Sequence, residues 1–571
     1  MVIPMTDTVF KIKTQIEDAV ATALQSIAST LDNNTRETVL KTDIEIEVPK
    51  DKTHGDFSVN TAMKLTKIMK KNPRELAGIL VEKIDTQGTY IDKIEIAGPG
   101  FINFYLKNSW LYDGLVSAYQ KNSDFGKTDA GAGKKVMVEF VSANPTGPMH
   151  MGNARGGALG DSLASVLEWA GYDVTREFYI NDAGAQIEKF GKSLEARYLQ
   201  IIYGEDAIEF SDDWYQGNDI KVHAQNYYDI NGDALKDVPE NERRNALVSY
   251  ALPINIANLK KDLGEYRINY DVWFPESTIH KNGEVAETIK LLKDAGLTYE
   301  KDGAVWIKTT EFGDEKDEVL IRANGIPTYF AVDIAYHRNK FTIRGFDKVI
   351  NIWGADHHGH VARMKGAMEA LGIDSSKLEI VIMQLVRLMR NGEVARMSKR
   401  KGEMITLSDL VEEIGVDAAR FFFNLRQAGS HLDFDMDLAV KQNSENPVFY
   451  VQYAHARIAS ILRNLEKENI KLFNIDDIDV TLLKQPEELE LISKIVTLPE
   501  EIVLCAQSME PSKLTRYVLD LAALFHSFYN NCRVKCEDKN LMQARLLLCT
   551  VTKQVIKNIL DILKINAPDE M

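Results

Sequence analysis

Hydrophobic and polar residues follow one another along this chain in three distinct patterns. The first pattern mixes helical and strand-like periods. It predicts helices over 9–31 and 58–85, with the strand-like run TDIEIEVP between them. A β-like segment, IDKIEIAGPGFINFYL, closes the unit and turns at its Gly-Pro-Gly. These features predict an N-terminal α+β domain over residues 1–120.

A glycine-rich segment, residues 121–135, predicts a linker and leads into the second pattern. The run VMVEFVSA (136–143) has the β-branched and aromatic character of a buried parallel strand. Apolar residues then recur with helical period over 151–171, and the strand-like DVTREFYI follows. The order strand, helix, strand predicts a βαβ unit.

The same alternation returns later in the chain. KVINIWGA (348–355) and LEIVIMQLV (378–386) are predicted strands, with a helix over 360–371 between them. The helices and short strands of 180–345 are predicted to form an insertion between two halves of one sheet.

From residue 445 the third pattern is almost wholly helical. The prediction is a multidomain α/β protein with three parts. A split, Rossmann-like parallel-sheet domain over 121–444 lies between the N-terminal α+β domain and an all-α bundle over 445–571.

Composition narrows the class of protein only a little. The chain has 571 residues, of which 45% are hydrophobic and 27% charged, as is ordinary for globular domains. Its 68 basic and 84 acidic residues give a formal charge of −16, which argues against non-specific coating of nucleic acid but leaves local basic patches open. No signal peptide or membrane span is evident, and the four cysteines form no metal-like pair, so we expect a cytoplasmic protein without a zinc site.

The most informative motif is FVSANPTGPMHMGNARGGALGDSL (140–163), a predicted strand whose Gly/Pro loop opens a helix. Backbone N–H groups at such a helix start bind anions, and His150 and Asn153, three residues apart, can both point at a ligand above it. Nucleotides bind parallel sheets of this type at the carboxyl ends of the strands. The plainer alternative is that His150 caps the helix and that the glycines only permit close packing. Those glycines are Gly147, Gly152, Gly156 and Gly157.

A second motif, VARMSKRKGEMITL (394–407), places four cations around Ser398 in a polar loop. A basic loop alone is usually a solvated surface. Following a strand in the far half of the same sheet, it instead suggests a cationic clamp for a triphosphate. The cations are Arg396, Lys399, Arg400 and Lys401.

These two motifs resemble the HxGH and KMSKS signatures of class I aminoacyl-tRNA synthetases. Asn153 stands where the second signature histidine is usual, and Arg396 where the first lysine is usual; both retain a hydrogen-bond donor. Further segments resemble arginyl-tRNA synthetases in particular, in one order along essentially the whole chain. They are HGDFSVNTAM, SANPTGPMHMGNARG, GADHHGHVARM, GVDAARFFF, NPVFYVQYAHARI, FHSFYNNCRV and the ending APDEM.

The resemblance implies a two-step reaction that uses ATP and Mg²⁺. Arginine would be activated to arginyl-adenylate with release of pyrophosphate, and then transferred to the 3′-terminal ribose of tRNA-Arg with release of AMP. It implies His150, Asn153 and Lys399 as catalytic residues in the Rossmann-like catalytic domain. The implied ATP-binding residues are His150, Gly152, Asn153, Gly354, Asp356, His357, His360, Met397, Ser398 and Lys399.

The resemblance also implies the remaining contacts. Arginine would bind to Ser142, Asn144, His150, Glu276, Tyr329 and Asp333, where carboxylates suit a guanidinium. The N-terminal domain would contact the tRNA near its D-loop, and the helical domain would read the anticodon. The anticodon contacts would be Tyr453, Tyr529 and Met571. We expect a monomer without a membrane partner, and the family commonly needs tRNA present before it activates arginine.

Two alternatives remain beside this interpretation. A class I enzyme for another amino acid is one, although a cysteinyl-type enzyme needs thiolate zinc ligands in its catalytic half and no cysteine precedes Cys505. The editing insertion of the isoleucine, valine and leucine enzymes would need a longer chain. The other is a catalytically inactive RNA-binding relative, which the retention of His150, Lys399 and Asp333 argues against.

Overall fold

The structure, a computed structural model, describes residues 8–395 and 405–571. In the N-terminal region four strands form an antiparallel sheet of order β1-β2-β4-β3, with helices packed against it. The elements are α1 Thr8–Ala28, α2 Asn33–Leu40, β1 Ile46–Glu47, β2 Phe57–Val59, α3 Thr61–Met69, α4 Pro73–Val81, β3 Ile91–Ala97, β4 Phe101–Leu106 and α5 Ser109–Lys121.

The predicted helix over 58–85 is wrong in two respects. Its start is the buried strand β2, and the helix that follows is interrupted between α3 and α4. The interruption follows from Asn72 and Pro73: the Asn72 side chain accepts the N–H of Arg74 as an N-cap, and Pro73 occupies the first helical position. This pair starts a new helix and cannot continue an old one.

The glycine-rich segment 121–135 is packed and does not hang free between domains. The N–H groups of Thr128 and Gly131 donate to the carbonyls of Trp169 and Ala170 at 2.8 and 2.7 Å. A Cβ at Gly131 would lie 2.6 Å from Tyr172, so a larger residue would not fit here. The glycines therefore allow close packing, which composition alone does not distinguish from flexibility.

The middle region contains the predicted parallel sheet and two small sheets. Its elements are β5 Lys135–Glu139, α6 Met151–Trp169, β6 Asp173–Ile180, α7 Ala185–Tyr203, α8 Asn218–Asn231, α9 Glu240–Glu265, β7 Val272–Pro275, α10 Glu276–Lys281, α11 Glu284–Asp294, β8 Thr298–Lys301, β9 Ala304–Ile307, β10 Glu318–Ile321, α12 Tyr329–Arg338, β11 Lys348–Gly354, α13 His360–Ala370, β12 Leu378–Met383, β13 Val386–Arg390, β14 Glu393–Val394, α14 Leu407–Ile414, α15 Val416–Phe423, β15 Leu432–Asp435 and α16 Met436–Ala439.

The central sheet has the order β12-β11-β5-β6-β7, and every pair in it is parallel. The chain runs outward from β5 in one direction through β6 and β7, and in the other through β11 and β12. A cleft therefore opens at the carboxyl ends of β5 and β11, where such sheets bind their ligands. Both predicted βαβ units, and the doubly wound α/β class, are confirmed.

Two details of this sheet differ from the sequence prediction. The predicted insertion over 180–345 supplies β7, the edge strand beside β6, so it is partly integral to the sheet. The predicted strand 378–386 breaks after Met383, and β13 pairs instead with β14 and β15 in a separate sheet. The run LEIVIMQLV is mostly apolar across the break, so its pattern does not reveal where β12 ends and β13 begins.

The C-terminal region is helical, as predicted. Its helices are α17 Pro447–Lys467, α18 Pro486–Val496, α19 Leu498–Ser508, α20 Ser512–Asn531 and α21 Lys539–Ile562. Among the described residues, no helix combines the length and apolar character that crossing a membrane requires.

Buried polar contacts hold α6 against β6, α15 and the C-terminal region. Arg420 is fully buried and donates to the Asp161 carboxylate of α6 at 2.6 Å and to the Leu563 carbonyl at 2.8 Å. Arg176 donates to the other Asp161 oxygen at 3.1 Å. Removing one partner of such a buried ion pair leaves an uncompensated charge, which typically costs about 3–5 kcal/mol. The helix that opens the cleft is therefore held firmly.

Candidate active site

The turn after β5 has an unusual backbone. Val141 and Ser142 both adopt positive φ, +68° and +43°, and neither is glycine. A β-branched residue in the left-handed region is strained, by about 1–3 kcal/mol. The turn sends Ser142 toward the neighbouring strand, where its hydroxyl donates to Glu139 at 3.0 Å and accepts the Tyr179 N–H at 3.1 Å. The strain thus accompanies a fixed side chain at the carboxyl end of the sheet.

His150 is the N-cap residue of α6 and is exposed at the cleft. Its side chain makes no capping hydrogen bond, so the alternative that it serves as a helix cap is wrong. Its backbone forms an antiparallel bridge with Thr406, and Met151 N–H donates to the Ile405 carbonyl at 3.1 Å. The chain that follows the second motif therefore returns to the start of α6.

The glycines of the first motif divide into two groups. A Cβ added at Gly152, in the first turn of α6, would meet no atom within 4 Å. A Cβ at Gly157 would lie 2.7 Å from Ile268, so this glycine serves close packing, as the plainer interpretation holds. The helix start is open above Gly152, and an anion approaching it meets unobstructed backbone.

Four of the predicted ATP-binding residues follow β11, the strand next to β5 on the side opposite β6. Gly354 ends the strand, and Asp356 and His357 lie exposed in the short turn Ala355–His357. His360 begins α13, and its Nε2 lies 2.8 Å from the Asp333 carboxylate. His360, a predicted ATP ligand, and Asp333, a predicted arginine ligand, are therefore in direct contact.

Glu276 begins α10 directly after β7 and is only 4% exposed. The Tyr179 hydroxyl donates to its Oε2 at 3.0 Å, and His280 Nε2 lies 3.5 Å from Oε1. Burial raises the pKa of Glu276, and the hydrogen bonds from Tyr179 and His280 offset this in part. Because these hydrogen bonds only partly offset the cost of burying its charge, the Glu276 carboxylate favours a cationic partner.

Asp333 lies on α12, with 31% of its side chain exposed toward the cleft. Burial alone would raise its pKa, but the adjacent His337 and His360 outweigh burial, and the pKa of Asp333 is lowered well below its usual range. Asp333 is therefore a carboxylate at any physiological pH. It presents a partly exposed anion near Tyr179 of β6.

Tyr179, on β6, donates to Glu276 and lies near Asp333, and the sequence analysis does not predict it as a site residue. Burial raises the pKa of its hydroxyl strongly, and the nearby charges of Glu276 and Asp333 raise it further. Its ring packs on Tyr336 with centroids 4.4 Å apart. The only sequence signal was its position near the carboxyl end of a predicted strand.

Two further predicted arginine ligands lie at the rim of this acidic region. Asn144 is exposed beyond Ser142, and the Asn181 amide, oriented to suit its neighbours, donates to Glu276 at 3.1 Å and lies 3.3 Å from Asn144 Oδ1. Tyr329 begins α12, is exposed, and its hydroxyl accepts the Ala185 N–H at 3.1 Å. The structure thus places Ser142, Asn144 and Glu276 after β5 and β7, and Tyr329 and Asp333 on α12 near β6, whereas His150 lies apart from them at the start of α6.

The second motif lies largely outside the described residues. Met397, Ser398 and Lys399, with Arg396, Arg400 and Lys401, fall in the gap 396–404. Its flanks are placed: Ala395 N–H donates to the Leu388 carbonyl at 2.7 Å, and the Ile405 side contacts the start of α6. Both ends of the loop are therefore anchored in the middle region.

Comparison with known proteins gives matches along nearly the whole chain. Residues 115–431 match the family described as tRNA synthetases class I (R), catalytic domain. The chain is 59% identical over 567 residues to the arginine–tRNA ligase of Acetivibrio thermocellus, covering 99% of this chain and all of that protein. The chain belongs to the arginyl-tRNA synthetase family.

The regions on either side of the catalytic domain match two further families found in tRNA synthetases. Residues 11–106 match the arginyl tRNA synthetase N terminal domain, and residues 451–571 match the DALR anticodon binding domain. The arginine–tRNA ligase of Ruminiclostridium cellulolyticum is 60% identical over 561 residues, 98% of this chain and 99% of that one. The Thermus thermophilus arginyl-tRNA synthetase structure has a TM-score of 0.75 and 22% identity, covering 97% of this chain and 99% of its own, and shares the fold.

The predicted anticodon residues are accessible at the surface of the C-terminal region. Tyr453, on α17, is 43% exposed and stacks on Phe449 with ring planes 7° apart. Tyr529 is half-buried, with the Arg457 guanidinium 4.4 Å above its ring, and the terminal Met571 is exposed. Tyr453 is therefore not packed in the core, and this aromatic face is open to a partner.

Proposed function

We propose that the chain activates L-arginine with ATP and transfers it to tRNA-Arg. In the first step the arginine carboxylate oxygen attacks the α-phosphorus, and the bond to pyrophosphate breaks. In the second, a hydroxyl of the 3′-terminal ribose attacks the arginyl carbonyl carbon, and AMP departs. Both steps need positioning and charge stabilisation and no covalent enzyme intermediate.

The observation that carries this proposal is the pair of carboxylates around Tyr179. Among the described residues the donors nearest to the carboxylate of the buried Glu276, Tyr179 and Asn181, are both neutral, and Asp333 is ionised and partly exposed. Guanidinium is a planar donor that pairs with carboxylates. In the proposal its charge compensates both acids, and Tyr329 adds a hydroxyl oxygen at the rim.

Ser142 and Asn144 hold the other end of the amino acid in this proposal. The Ser142 hydroxyl already donates its single proton to Glu139, and one of its two lone pairs accepts the Tyr179 N–H. One lone pair is left, so Ser142 can only accept. It therefore contacts the α-ammonium group, and a donor such as the Asn144 amide is left for the α-carboxylate.

The phosphate side of the cleft is assigned to the start of α6 and to the second motif. His150 and Asn153 donate to the phosphates, the open backbone at Gly152 receives an anion, and Gly354, Asp356 and His357 contact the adenosine. Lys399, with Met397 and Ser398 beside it, stabilises the departing pyrophosphate. The bridge between His150 and Thr406 supports this assignment, because it brings the loop's return end to the helix start.

Mg²⁺ would enter this reaction mainly through its substrate. Among residues 8–395 and 405–571, no group of three or more His, Cys, Asp or Glu side chains has a metal-binding arrangement. Mg²⁺ commonly keeps few protein ligands and is held by phosphate oxygens. In this proposal the phosphate oxygens of ATP supply most of its ligands.

The flanking regions contact tRNA in this proposal, with boundaries at 120 and 444. The N-terminal α+β domain touches the outer corner near the D-loop. Tyr453, Tyr529 and Met571 contact anticodon bases, which stack on exposed aromatic rings. The match of 451–571 to an anticodon-binding family supports this placement. The enzyme acts as a monomer in the cytoplasm.

The deciding experiment is aminoacylation of total tRNA with each of the twenty amino acids, ATP and Mg²⁺. Charging with arginine alone supports the proposal. Charging with a different amino acid would overturn the specificity but leave the enzyme class. If the protein binds tRNA but charges it with no amino acid, the enzymatic proposal is overturned, and an inactive RNA-binding relative is favoured.

A further inference from the structure

A buried chain of hydrogen bonds connects the two ends of the proposed arginine pocket. It runs beneath the cleft, from the turn after β5 to helix α12. At its centre is Lys340, which lies in the π-helical turn Asn339–Ile343 after α12 and is fully buried. Its members are Ser142, Glu139, Lys340, Asn351, His337 and Asp333.

Lys340 fixes the direction of the hydrogen bonds that it makes and of the next one, between Asn351 and His337. A lysine ammonium group donates and cannot accept. Lys340 Nζ donates to Glu139 Oε2 at 2.5 Å and to Asn351 Oδ1 at 3.2 Å. Because the Asn351 oxygen faces the lysine, the Asn351 amide nitrogen faces His337 and donates to its Nε2 at 2.7 Å.

This donation determines the state of the His337 ring. A nitrogen that accepts a hydrogen bond carries a lone pair, so the His337 proton is on Nδ1 and the ring is neutral. Nδ1 lies 2.8 Å from the Asp333 carbonyl oxygen and 3.3 Å from its carboxylate Oδ1. The ring is also buried, so water is not available to replace Asn351.

The charges around His337 are otherwise matched in pairs. Lys340 faces Glu139 of β5, and Arg344 faces Glu177 of β6, which also accepts the Tyr336 hydroxyl. The remaining groups are Asp333, on the same helix, and His360 of α13, whose Nε2 donates to Asp333. Asp333 is thus the acid of this group that lacks a cationic lysine or arginine partner.

We propose that Lys340 and Asn351 are positioning residues that keep His337 neutral, so that this ring places no positive charge beside the Asp333 carboxylate and the carboxylate stays available to the arginine guanidinium. An imidazolium 3.3 Å from the carboxylate would compete with the substrate for the same charge. The buried lysine prevents this twice: it holds the Asn351 donor against Nε2, and its positive charge disfavours a second cation nearby. This inference rests on the proposed function, since it assigns Asp333 to arginine.

The test is Asn351→Asp, which keeps the size of the side chain and the contact to Lys340 but turns the donor toward Nε2 into an acceptor. The imidazolium form of His337 is then stabilised. We expect kcat/KM for arginine in tRNA charging to fall at least tenfold at pH 6.5, and the loss to shrink toward pH 8.5 as His337 deprotonates. KM for ATP should stay within twofold of the wild type.

Asn324→Asp is the matched control, because it adds the same charge at an exposed turn leading to α12 and retains an acceptor for the Ile326 N–H. Parallel pH profiles for the two variants would overturn the inference. Lys340→Met is the second variant; we expect KM for arginine to rise at least fivefold with KM for ATP unchanged. An unchanged KM for arginine in Lys340→Met would likewise overturn the inference. If Lys340→Met does not fold, Asn351→Asp still decides.

A spectroscopic measurement separates this inference from the proposed function. In ¹⁵N-histidine-labelled protein, the His337 signal, assigned by its loss in His337→Gln, reports the tautomer directly. We expect neutral, Nδ1-protonated His337 in the wild type from pH 6.5 to 8.5 and imidazolium in Asn351→Asp at pH 6.5. Imidazolium in the wild type would overturn the inference even if arginine is charged. Failure to charge arginine would instead overturn the proposed function, and the tautomer would still be measured.

Discussion

The two sides of the cleft are built differently. On the amino-acid side, Glu276, Asp333 and Ser142 are each held by hydrogen bonds from buried or half-buried neighbours before any substrate arrives. On the phosphate side, His150 is exposed without a capping bond and Gly152 faces open space. The difference matches two tasks. A pocket that selects one amino acid needs fixed charges, whereas a phosphate site acts on charge that develops during the reaction.

The largest effect we expect is on the amino-acid side of the cleft. Asp333→Asn removes the anion that pairs with guanidinium, and losing one partner of a buried charge pair costs about 3–5 kcal/mol. We expect kcat/KM for arginine to fall by two to three orders of magnitude, with KM for ATP nearly unchanged. Steady-state charging over a range of arginine concentrations measures this. Asp294→Asn, at an exposed ion pair on α11, is the control. Equal losses in both variants would contradict a specific role for Asp333.

The next effect tests the phosphate side. Lys399→Ala should lower kcat for arginine-dependent ATP–pyrophosphate exchange by about a hundredfold, because a group that stabilises charge in the transition state contributes mainly to kcat. KM for arginine should change less than twofold. If KM for arginine rises by the same factor as kcat falls, Lys399 also contributes to arginine binding. That result would contradict the division of the cleft into an amino-acid side and a phosphate side.

A pH series addresses Glu276. Burial raises the pKa of Glu276, so this acid takes up a proton at a higher pH than an exposed glutamate does, and the protonated form cannot pair with guanidinium. We expect kcat/KM for arginine to fall about tenfold as the pH is lowered from 7.5 to 5.5. In Glu276→Gln the value should be low throughout and nearly independent of pH in this range. A wild-type decline that persists unchanged in Glu276→Gln would assign the titration to another group.

The smallest effect concerns Asn153, where the family signature usually has histidine. Asn and His both donate a hydrogen bond, and the position is at the accessible start of α6. Asn153→His should therefore change the rate of pyrophosphate exchange by less than about threefold. Asn153→Leu, which cannot donate, should lower kcat by at least tenfold. Indistinguishable rates for the two variants would remove Asn153 from the reaction.

The sequence predicts the strands and helices well where burial alone decides which positions are apolar. Runs such as VMVEFVSA and KVINIWGA are mostly apolar because both faces of a central parallel strand are covered, and their pattern correctly predicts β5 and β11, although Glu139 and Asn351 within them are polar. The break after Met383 and the packed glycines near Gly131 were missed, since apolar runs and glycine-rich segments look alike in several structural settings.

The site was predictable only in part. The motif residues around His150 are adjacent in sequence, so their common location follows from one helix start. Tyr179, His337 and Lys340 belong to ordinary helical or strand patterns, and Lys340 in particular would pass for a surface residue. Their roles arise from contacts between β5, β6, α12 and β11 that no local spacing encodes. Whether each residue contacts substrate, as the family resemblance implies, is tested by the variants above.

The left-handed pair Val141–Ser142 carries one more consequence. A backbone that holds a β-branched side chain at a φ of +68° stores energy that glycine would release. Val141→Gly would release this strain but would lose the packing of the Val141 side chain on the core, so a selection for heat resistance would weigh one against the other. The same change would free the turn that aims the Ser142 hydroxyl. Laboratory evolution of this chain toward higher melting temperature would therefore meet a trade between robustness and substrate alignment at this one peptide turn.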